Sequence, residues 1–280
     1  MQHLTLGYLT LNAPPDETIT AAAKAGFKSV GIRITGRRIS DPYTQVIGNK
    51  AMIGELRKRV SDNGLHLSNI SGYHMYGDVE WSHMKSVVDT TAELGSKIIV
   101  ANCYIPPEGK TLELFSRYCE YAGKAGIRIA VEFMRYTQVK TIEMANEMVK
   151  QSGQANAGFL IDPLHLNRSG GTPAAIKKVD PKRIIFVQLC DAKLRTDNPS
   201  DQDLMSEART ARLPPGDGDL PLYDFLDALP PDTEIEFEVP RPEEVGMPLP
   251  ERAKLAAGRF HNYLAAYAKA RGKKDPWPGA

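Results

Sequence analysis

The stretch Glu234-Ile235-Glu236-Phe237-Glu238 alternates glutamate with large apolar residues. Side chains on a β-strand point alternately to opposite faces, so the three glutamates share one face of a predicted strand. Three other short runs rich in Ile, Val and Phe also end on an oxygen-bearing side chain, namely Glu132, Asp162 and Gln188. Burying such a group costs free energy unless a partner compensates its lost hydration. We therefore expect the four strand ends to share a common partner.

The rest of the chain repeats a pattern in which an apolar strand is followed by a helix. Strands are predicted at residues 4–11, 28–34, 66–73, 97–103, 127–134, 157–162, 183–192 and 233–240, and helices at 16–25, 50–62, 80–94, 111–124, 140–151, 173–179, 219–229 and 251–271. Eight alternations predict a single (β/α)₈ barrel over residues 1–271, with a flexible tail over 272–280. A doubly wound open sheet is the alternative, but its dinucleotide-binding form needs a G-x-G-x-x-G motif after the first strand, which is missing.

The barrel rule brings the four strand ends together. The last inward positions of the strands meet at the carboxyl end of a barrel, where enzymes of this fold carry their chemistry. Three carboxylates and one amide oxygen form a hard oxygen site, which suits Mg²⁺ or Mn²⁺. Lower in the barrel, an inward glutamate is expected to pair with an arginine. This is our interpretation of Glu234 and one of two alternatives for Glu236.

The segments around these ends resemble the xylose isomerase-like barrel superfamily, which includes sugar isomerases and epimerases, inosose dehydratases and 3-dehydroshikimate dehydratases. The resemblance rests on five segments: Val131-Glu132-Phe133, Ile161-Asp162-Pro163-Leu164-His165, Phe186-Val187-Gln188-Leu189-Cys190-Asp191, Pro215-Gly216-Asp217-Gly218 and Phe237-Glu238-Val239-Pro240. It implies that one divalent cation, Mn²⁺ or Mg²⁺ before Co²⁺ or Zn²⁺, is bound by Glu132, Asp162, Gln188 and Glu238. Glutamine at position 188, where many epimerases have histidine, looks like the pattern of some dehydratase branches.

The activity that the resemblance implies is proton abstraction next to a carbonyl group. His165 is the first candidate for the base or acid because its unperturbed pKa lies near neutrality, and Glu132 or Glu238 could share the role. Isomerisation or epimerisation of a sugar or sugar acid is our first interpretation, with dehydration of a 3-dehydroshikimate-like or inosose-like substrate as the alternative. A DNA-repair endonuclease is disfavoured by the six scattered histidines, and a barrel that only binds a ligand by the four intact strand ends.

Further residues are candidates for substrate contact. Tyr8 and His74 lie at predicted strand ends, and a loop predicted at residues 193–213 carries Arg209 and Arg212. A guanidinium fork is the natural partner of a carboxylate or phosphate. Asp191, three residues after Gln188, either contacts the ligand or anchors the loop.

Composition restricts the partners. The net charge of +1 provides no overall attraction to nucleic acid or to an anionic membrane, which favours a small-molecule substrate. The three cysteines form no C-x-x-C pair, which predicts free buried thiols in a reducing compartment. No signal peptide or bilayer-spanning run is visible, so a cytoplasmic protein is expected. The apolar faces of the outer helices leave room for a homo-oligomer.

Overall fold

Eight parallel strands form a closed barrel in a computed structural model of the chain, which describes residues 4–38, 40–41 and 43–274. The strands are β1 Leu4–Leu6, β2 Ser29–Ile32, β3 His66–Met75, β4 Ile98–Cys103, β5 Arg128–Glu132, β6 Ala157–Ile161, β7 Ile184–Leu189 and β8 Ile235–Phe237. Each strand pairs with its neighbour in sequence, and β8 closes the barrel against β1. The predicted (β/α)₈ barrel is confirmed.

Helices connect the strands around the outside. Their bounds are α1 Tyr8–Leu11, α2 Pro15–Lys24, α3 Lys50–Asp62, α4 Trp81–Leu94, α5 Lys110–Lys124, α6 Ile142–Gln151, α7 Pro163–Arg168, α8 Pro173–Ile176, α9 Asp201–Thr210, α10 Leu222–Asp227 and α11 Leu249–Ala270. Short 3₁₀ turns lie at Pro181–Arg183 and Pro242–Glu244. Among the described residues, no helix is both long enough and apolar enough to cross a bilayer.

The two faces of the strands pack into different environments. On the outer face, the ring of Phe237 in β8 lies 5.2 Å from that of Phe260 in α11, as its alternation with glutamate predicts. On the inner face, one half of the barrel is filled by a separate apolar cluster that includes Val100, Leu160 and Phe186. These residues lie two positions before the polar strand-end residues on their strands, so they form the floor on which the site rests.

The other half of the barrel interior is polar and centres on Glu236. Its carboxylate is fully buried and accepts hydrogen bonds from Asn69 Nδ2 at 2.7 Å and Gln188 Nε2 at 2.8 Å. A Cβ atom at Gly31 would lie 2.8 Å from Glu236 Oε2, so a glycine is needed at that close approach. The pairing of Glu236 with two amides replaces the arginine alternative, and Glu234 likewise has Thr5 Oγ1 as a partner at 2.5 Å.

Several segments differ from the sequence-based prediction, including residues 163–168, which form α7 where no helix was predicted. The first strand ends at Leu6, and the chain then turns into α1, because Thr10 Oγ1 donates to the carbonyl of Phe237 at 2.9 Å and accepts from the backbone N–H of Val239 at 3.1 Å. The predicted loop 193–213 contains α9, whose N-terminus is capped reciprocally by Ser200 and Asp203.

The C-terminal tail begins in contact with the barrel. The backbone N–H of Lys273 donates to the carbonyl of Ala268 at 2.8 Å, and its ammonium pairs with Asp227 at 3.2 Å. The start of the predicted flexible tail is therefore anchored, whereas residues 275–280 lie outside the described part of the chain. All three cysteines are free and buried, as predicted.

Candidate active site

A cavity at the carboxyl ends of the strands collects most of the predicted site residues. It is lined by Tyr8, His74, Glu132, His165, Gln188, Arg209, Arg212 and Glu238. Asp162 is not in the lining but contacts Arg212 directly. The segments that supply these side chains span the chain from α1 to β8, so only the closed barrel brings them together.

Asp162 positions His165 through the local geometry of the chain. Asp162 follows β6 and is the N-cap of α7, where its Oδ1 accepts the backbone N–H of His165 at 3.0 Å. This bond fixes the first turn of the helix and directs the imidazole into the site. There, His165 Nε2 lies 3.5 Å from Glu132 Oε1, and the side chain is almost completely buried. The three-residue spacing in the sequence therefore reflects a helix cap.

Arg212 lies among the acidic groups. Its Nη1 is 2.5 Å from Asp162 Oδ2, and its Nη2 is 3.3 Å from Glu238 Oε2 and 3.4 Å from His165 Nε2. Its Nε donates to the carbonyl of Ala208 at 2.7 Å, which ties the guanidinium to the last turn of α9. Arg212 thus supplies positive charge to two of the predicted metal ligands, a role that its predicted place on an open loop did not suggest.

The remaining electrostatics follow from burial and mutual repulsion. Burial, together with the charges of Glu238 and Asp162, raises the pKa of Glu132 to about 8, although Asn102 Nδ2 donates to Glu132 Oε2 at 2.7 Å. Burial also raises the pKa of Glu238. For Asp162, burial opposes ionisation, but Arg212, His165 and the backbone N–H groups of Leu164 and His165 together outweigh it, and the pKa is lowered. Burial lowers the pKa of His165 to about 4, so its imidazole is neutral at pH 7.

The donor atoms fit a hard divalent cation, although their present arrangement is not closed around one. Gln188 Oε1 is buried and has no hydrogen-bond partner, while Glu236 holds the amide nitrogen of the same side chain. An unpaired buried amide oxygen calls for a partner such as a cation. Among the described residues, however, no three Asp, Glu, His or Cys side chains form a metal-holding group. Arg212, between Asp162 and Glu238, accounts for this because its guanidinium takes up their charge.

Asp191 serves the scaffold. Its Oδ1 accepts the backbone N–H groups of Ala192 and Leu220, and its Oδ2 accepts those of Gly216 and Gly218, at 2.8–3.1 Å. Its carboxylate is committed to the Pro215-Gly216-Asp217-Gly218 turn and does not line the cavity. The prediction that Asp191 contacts substrate disagrees with this geometry, and the alternative of a loop anchor agrees with it.

Sequence reasoning missed several residues that line the cavity, chiefly Arg33 and Arg37, and gave little weight to Asn102. Arg33 comes directly after Ser29–Ile32, the apolar strand β2. That is the same signal, a charged residue at the end of a buried run, by which the acidic strand ends were found. Arg37 lies four residues later in the loop and carries no such signal.

A (β/α)₈ barrel with carboxylates, an amide and a histidine converging at the carboxyl ends of its strands has the architecture of a TIM-barrel enzyme. Residues 19–260 match the family described as xylose isomerase-like TIM barrel, and the chain belongs to that family.

Relatives with similar sequences are named as enzymes of two reaction types. The chain is 34% identical to a 3-dehydroshikimate dehydratase of Pseudomonas aeruginosa over 108 residues, which are 38% of this chain but only 16% of that protein. It is 25% identical to the inosose isomerase of Bacillus subtilis over 206 residues, which are 66% of this chain and 69% of that protein. The chain thus covers about a sixth of the dehydratase and about two thirds of the isomerase.

Solved structures show the same fold at low sequence identity. The IolI protein with a bound zinc atom has a TM-score of 0.78 and 19% identity, covering 95% of this chain and 99% of that one. An L-ribulose 3-epimerase has a TM-score of 0.71 and 15% identity, with 97% of both chains covered. The names isomerase, epimerase and dehydratase among these proteins indicate an enzyme of this superfamily.

Proposed function

We propose that the chain is a divalent-metal-dependent enzyme that abstracts a proton next to the carbonyl group of a small polyhydroxylated substrate. The observation that carries this proposal is the position of His165. Its buried, neutral imidazole lies 3.5 Å from Glu132, in a cavity that also holds Glu238 and the unpaired amide oxygen of Gln188. The family and the names of the relatives support the same reaction class.

The proposed metal ligands are the four strand-end residues Glu132, Asp162, Gln188 and Glu238. Mn²⁺ or Mg²⁺ is the proposed ion because all four donors are hard oxygens, and Zn²⁺, named with the IolI structure, is the competitor. When bound, such a cation polarises a carbonyl oxygen as a Lewis acid. For Asp162 and Glu238 to bind the metal ion, at least one of the two ion pairs that they form with Arg212 has to break.

Two side chains of the cavity, those of His165 and Glu132, are proposed to carry out the proton transfer. His165 Nε2 is the proposed base, because a neutral imidazole offers a lone pair and this nitrogen faces the acidic groups. Glu132 is held by Asn102 and is placed to exchange a proton with His165. Burial of the two side chains excludes water from the transfer.

Isomerisation or epimerisation of a sugar or sugar acid is the first proposed outcome. The inosose isomerase relative, aligned over 66% of this chain, supports it. Dehydration, in which a β-hydroxyl group leaves after the same proton abstraction, is the second candidate. Two observations favour it: the 34% identity to a 3-dehydroshikimate dehydratase over 108 residues, and the glutamine at position 188.

Proton exchange tests the shared step without assuming either outcome. Mn²⁺-loaded protein in D₂O is incubated with a ketose, an inosose and 3-dehydroshikimate. NMR follows exchange of the proton next to the carbonyl, and ultraviolet absorbance follows any aromatic dehydration product. We expect exchange with at least one substrate and a loss of about 10²–10⁴-fold in His165→Asn.

The matched control is His83→Asn. His83 stacks on Tyr73 at 5.7 Å and is not in the cavity lining, so this variant should keep wild-type exchange. Elemental analysis after Mn²⁺ loading gives the metal content of wild type and of Glu132→Gln. A loaded wild-type protein that holds no metal, or a His165→Asn protein that exchanges as fast as wild type, contradicts the proposal.

A further inference from the structure

Three arginines from separate segments line the same cavity. Arg33 follows β2, Arg37 lies in the loop after it, and Arg209 is in α9. They are distinct from Arg212, which is paired with Asp162 and Glu238. The cavity therefore combines acidic strand ends with a second group of side chains of opposite charge.

Arg33 is buried with part of its hydrogen-bonding capacity unused. Only 4% of its surface is exposed, its Nε donates to the carbonyl of Thr35 at 2.6 Å, and its Nη1 donates to the hydroxyl of Tyr8 at 3.1 Å. The third nitrogen, Nη2, is buried without a partner. Leaving a buried charged donor unpaired costs free energy, so this N–H group is poised for an acceptor that a ligand brings.

The positive charge of the three arginines is not neutralised within the described part of the chain. No carboxylate there is seen to pair with Arg33, Arg37 or Arg209, whereas the nearby Arg38 pairs with Asp78 at 3.6 Å. Burial, followed by the charges of these arginines, lowers the pKa of His74 well below its usual range, so its neutral ring adds no further positive charge. Burial and the charge of Arg209 also lower the pKa of Arg37.

We propose that Arg33, Arg37 and Arg209 form an anion subsite, and that the substrate carries a carboxylate or phosphate group. Guanidinium forks bind either oxyanion through paired, charge-assisted hydrogen bonds. The substrate would place this anionic group on the arginines and its carbonyl or hydroxyl groups beside the acidic strand ends. The inference rests on the proposed function in that it takes the same cavity as the active site. It favours a sugar acid, ring acid or sugar phosphate over a neutral sugar.

Binding of three matched polyols tests the subsite without requiring turnover. Isothermal titration calorimetry compares neutral myo-inositol with quinate, a ring polyol that carries a carboxylate, and with myo-inositol 1-phosphate. We expect at least one anionic polyol to bind at least about tenfold more tightly than myo-inositol. Tighter binding of quinate identifies a carboxylate as the group, and tighter binding of the phosphate ester identifies a phosphate.

Variants assign the preference to the arginines. The half-buried Arg37 and Arg209 are changed together, as Arg37→Met with Arg209→Met, and Arg33→Lys keeps the charge of the buried residue while removing its fork. Both variant proteins should lose most of the preference for the anionic polyol over myo-inositol. Arg38→Met is the control, because Arg38 lies in the same loop but outside the cavity, and it should bind as wild type. Circular dichroism establishes that each variant is folded.

The result also separates this inference from the proposed function. Equal binding of neutral and anionic polyols by wild type, or an undiminished preference in the folded double variant, overturns the anion subsite. A protein that shows the arginine-dependent preference but neither binds metal nor exchanges a proton keeps the subsite and loses the proposed reaction. A protein that binds metal and exchanges a proton without the preference keeps the proposed reaction and loses the subsite.

Discussion

At the scale of single residues, Arg212 decides the charge balance of the site. Its guanidinium is buried against Asp162 and Glu238, and these pairs hold its pKa well above the usual range in spite of burial. The carboxyl groups of Glu132, Asp162 and Glu238 are buried close enough to repel one another, so a cation beside them lowers the cost of ionising them. In the described arrangement that cation belongs to the protein, and a bound metal ion would compete with it.

We therefore predict that Arg212→Met binds Mn²⁺ at least about tenfold more tightly than wild type, because a competing positive charge is removed. Without metal, the variant should be less stable by roughly 3–5 kcal/mol, since two buried carboxylates lose their partner. Calorimetric Mn²⁺ titration and chemical denaturation in the presence of chelator measure the two effects.

Arg168→Met provides the control for Arg212→Met. Arg168 forms a similarly buried pair with Glu207, at 2.6 Å, away from the strand-end acids. Its loss should lower the free energy of unfolding without changing Mn²⁺ affinity. If Arg212→Met instead binds Mn²⁺ more weakly than wild type, Arg212 supports the metal site and does not compete for it.

At the scale of elements, the polar half of the barrel interior depends on space left by small residues. Glu236 of β8 lies between Asn69 of β3 and Gln188 of β7, and Gly31 of β2 leaves room for its carboxylate. The chain of hydrogen bonds fixes the Gln188 amide so that its oxygen is free. Strand packing below the site thus sets the orientation of one proposed ligand.

The substitution Gly31→Ala should be destabilising. The added Cβ would lie within 3.0 Å of both Glu236 and Asn69, and overpacking of this kind costs roughly 1–3 kcal/mol. Gly54→Ala is the matched change, because Gly54 lies in α3 with no atom near the new Cβ, and it should stabilise the protein by about 0.5–1 kcal/mol. Denaturant unfolding of the two variants gives both values. Equal changes in the free energy of unfolding for the two variants would mean that the barrel interior can rearrange to accommodate an extra methyl group.

At the scale of the whole molecule, the half-buried histidine His74 makes stability depend on pH. Its folded-state pKa is lowered by burial and by the charges of Arg33, Arg37 and Arg209. Below pH 6.5, the unfolded chain therefore binds a proton at His74 that the folded chain does not bind. The stability due to the neutral form is therefore complete above pH 6.5 and is lost as the pH falls.

We predict that His74→Gln is less sensitive to acid than wild type. Relative to its value at pH 8, the free energy of unfolding of the variant at pH 5.5 should fall by about 1.4 kcal/mol less than that of wild type, because one titrating group is removed. Urea denaturation at the two pH values measures this difference. Parallel pH profiles for the two proteins would show that His74 takes up protons equally in both states.

Features that arise from strong local sequence patterns were predicted correctly, whereas contacts between distant positions were not. Strands such as β6 are buried on both faces and stand out as continuous apolar runs, and an acid that ends such a run is conspicuous because it is costly to bury. The pair between Arg212 and Asp162 joins positions 50 residues apart, and no local pattern encodes it. Helix α9 has only a few apolar residues, so its capping residues Ser200 and Asp203 were its main local signal.

The segment between β7 and α10 leaves and rejoins the barrel at one point. Asp191 and Leu213 exchange two backbone hydrogen bonds of 2.8 Å, so residues 192–212 form an excursion with closed ends. Changes of length within such an excursion leave the pairing of the strands beneath it undisturbed, provided that Arg212 keeps its pairs with Asp162 and Glu238. Arg209 and Arg212 both lie on it, whereas the acids and His165 follow the strands. Selection could therefore change the contribution of Arg209 to ligand binding by altering this one stretch, while the reacting groups stay with the barrel.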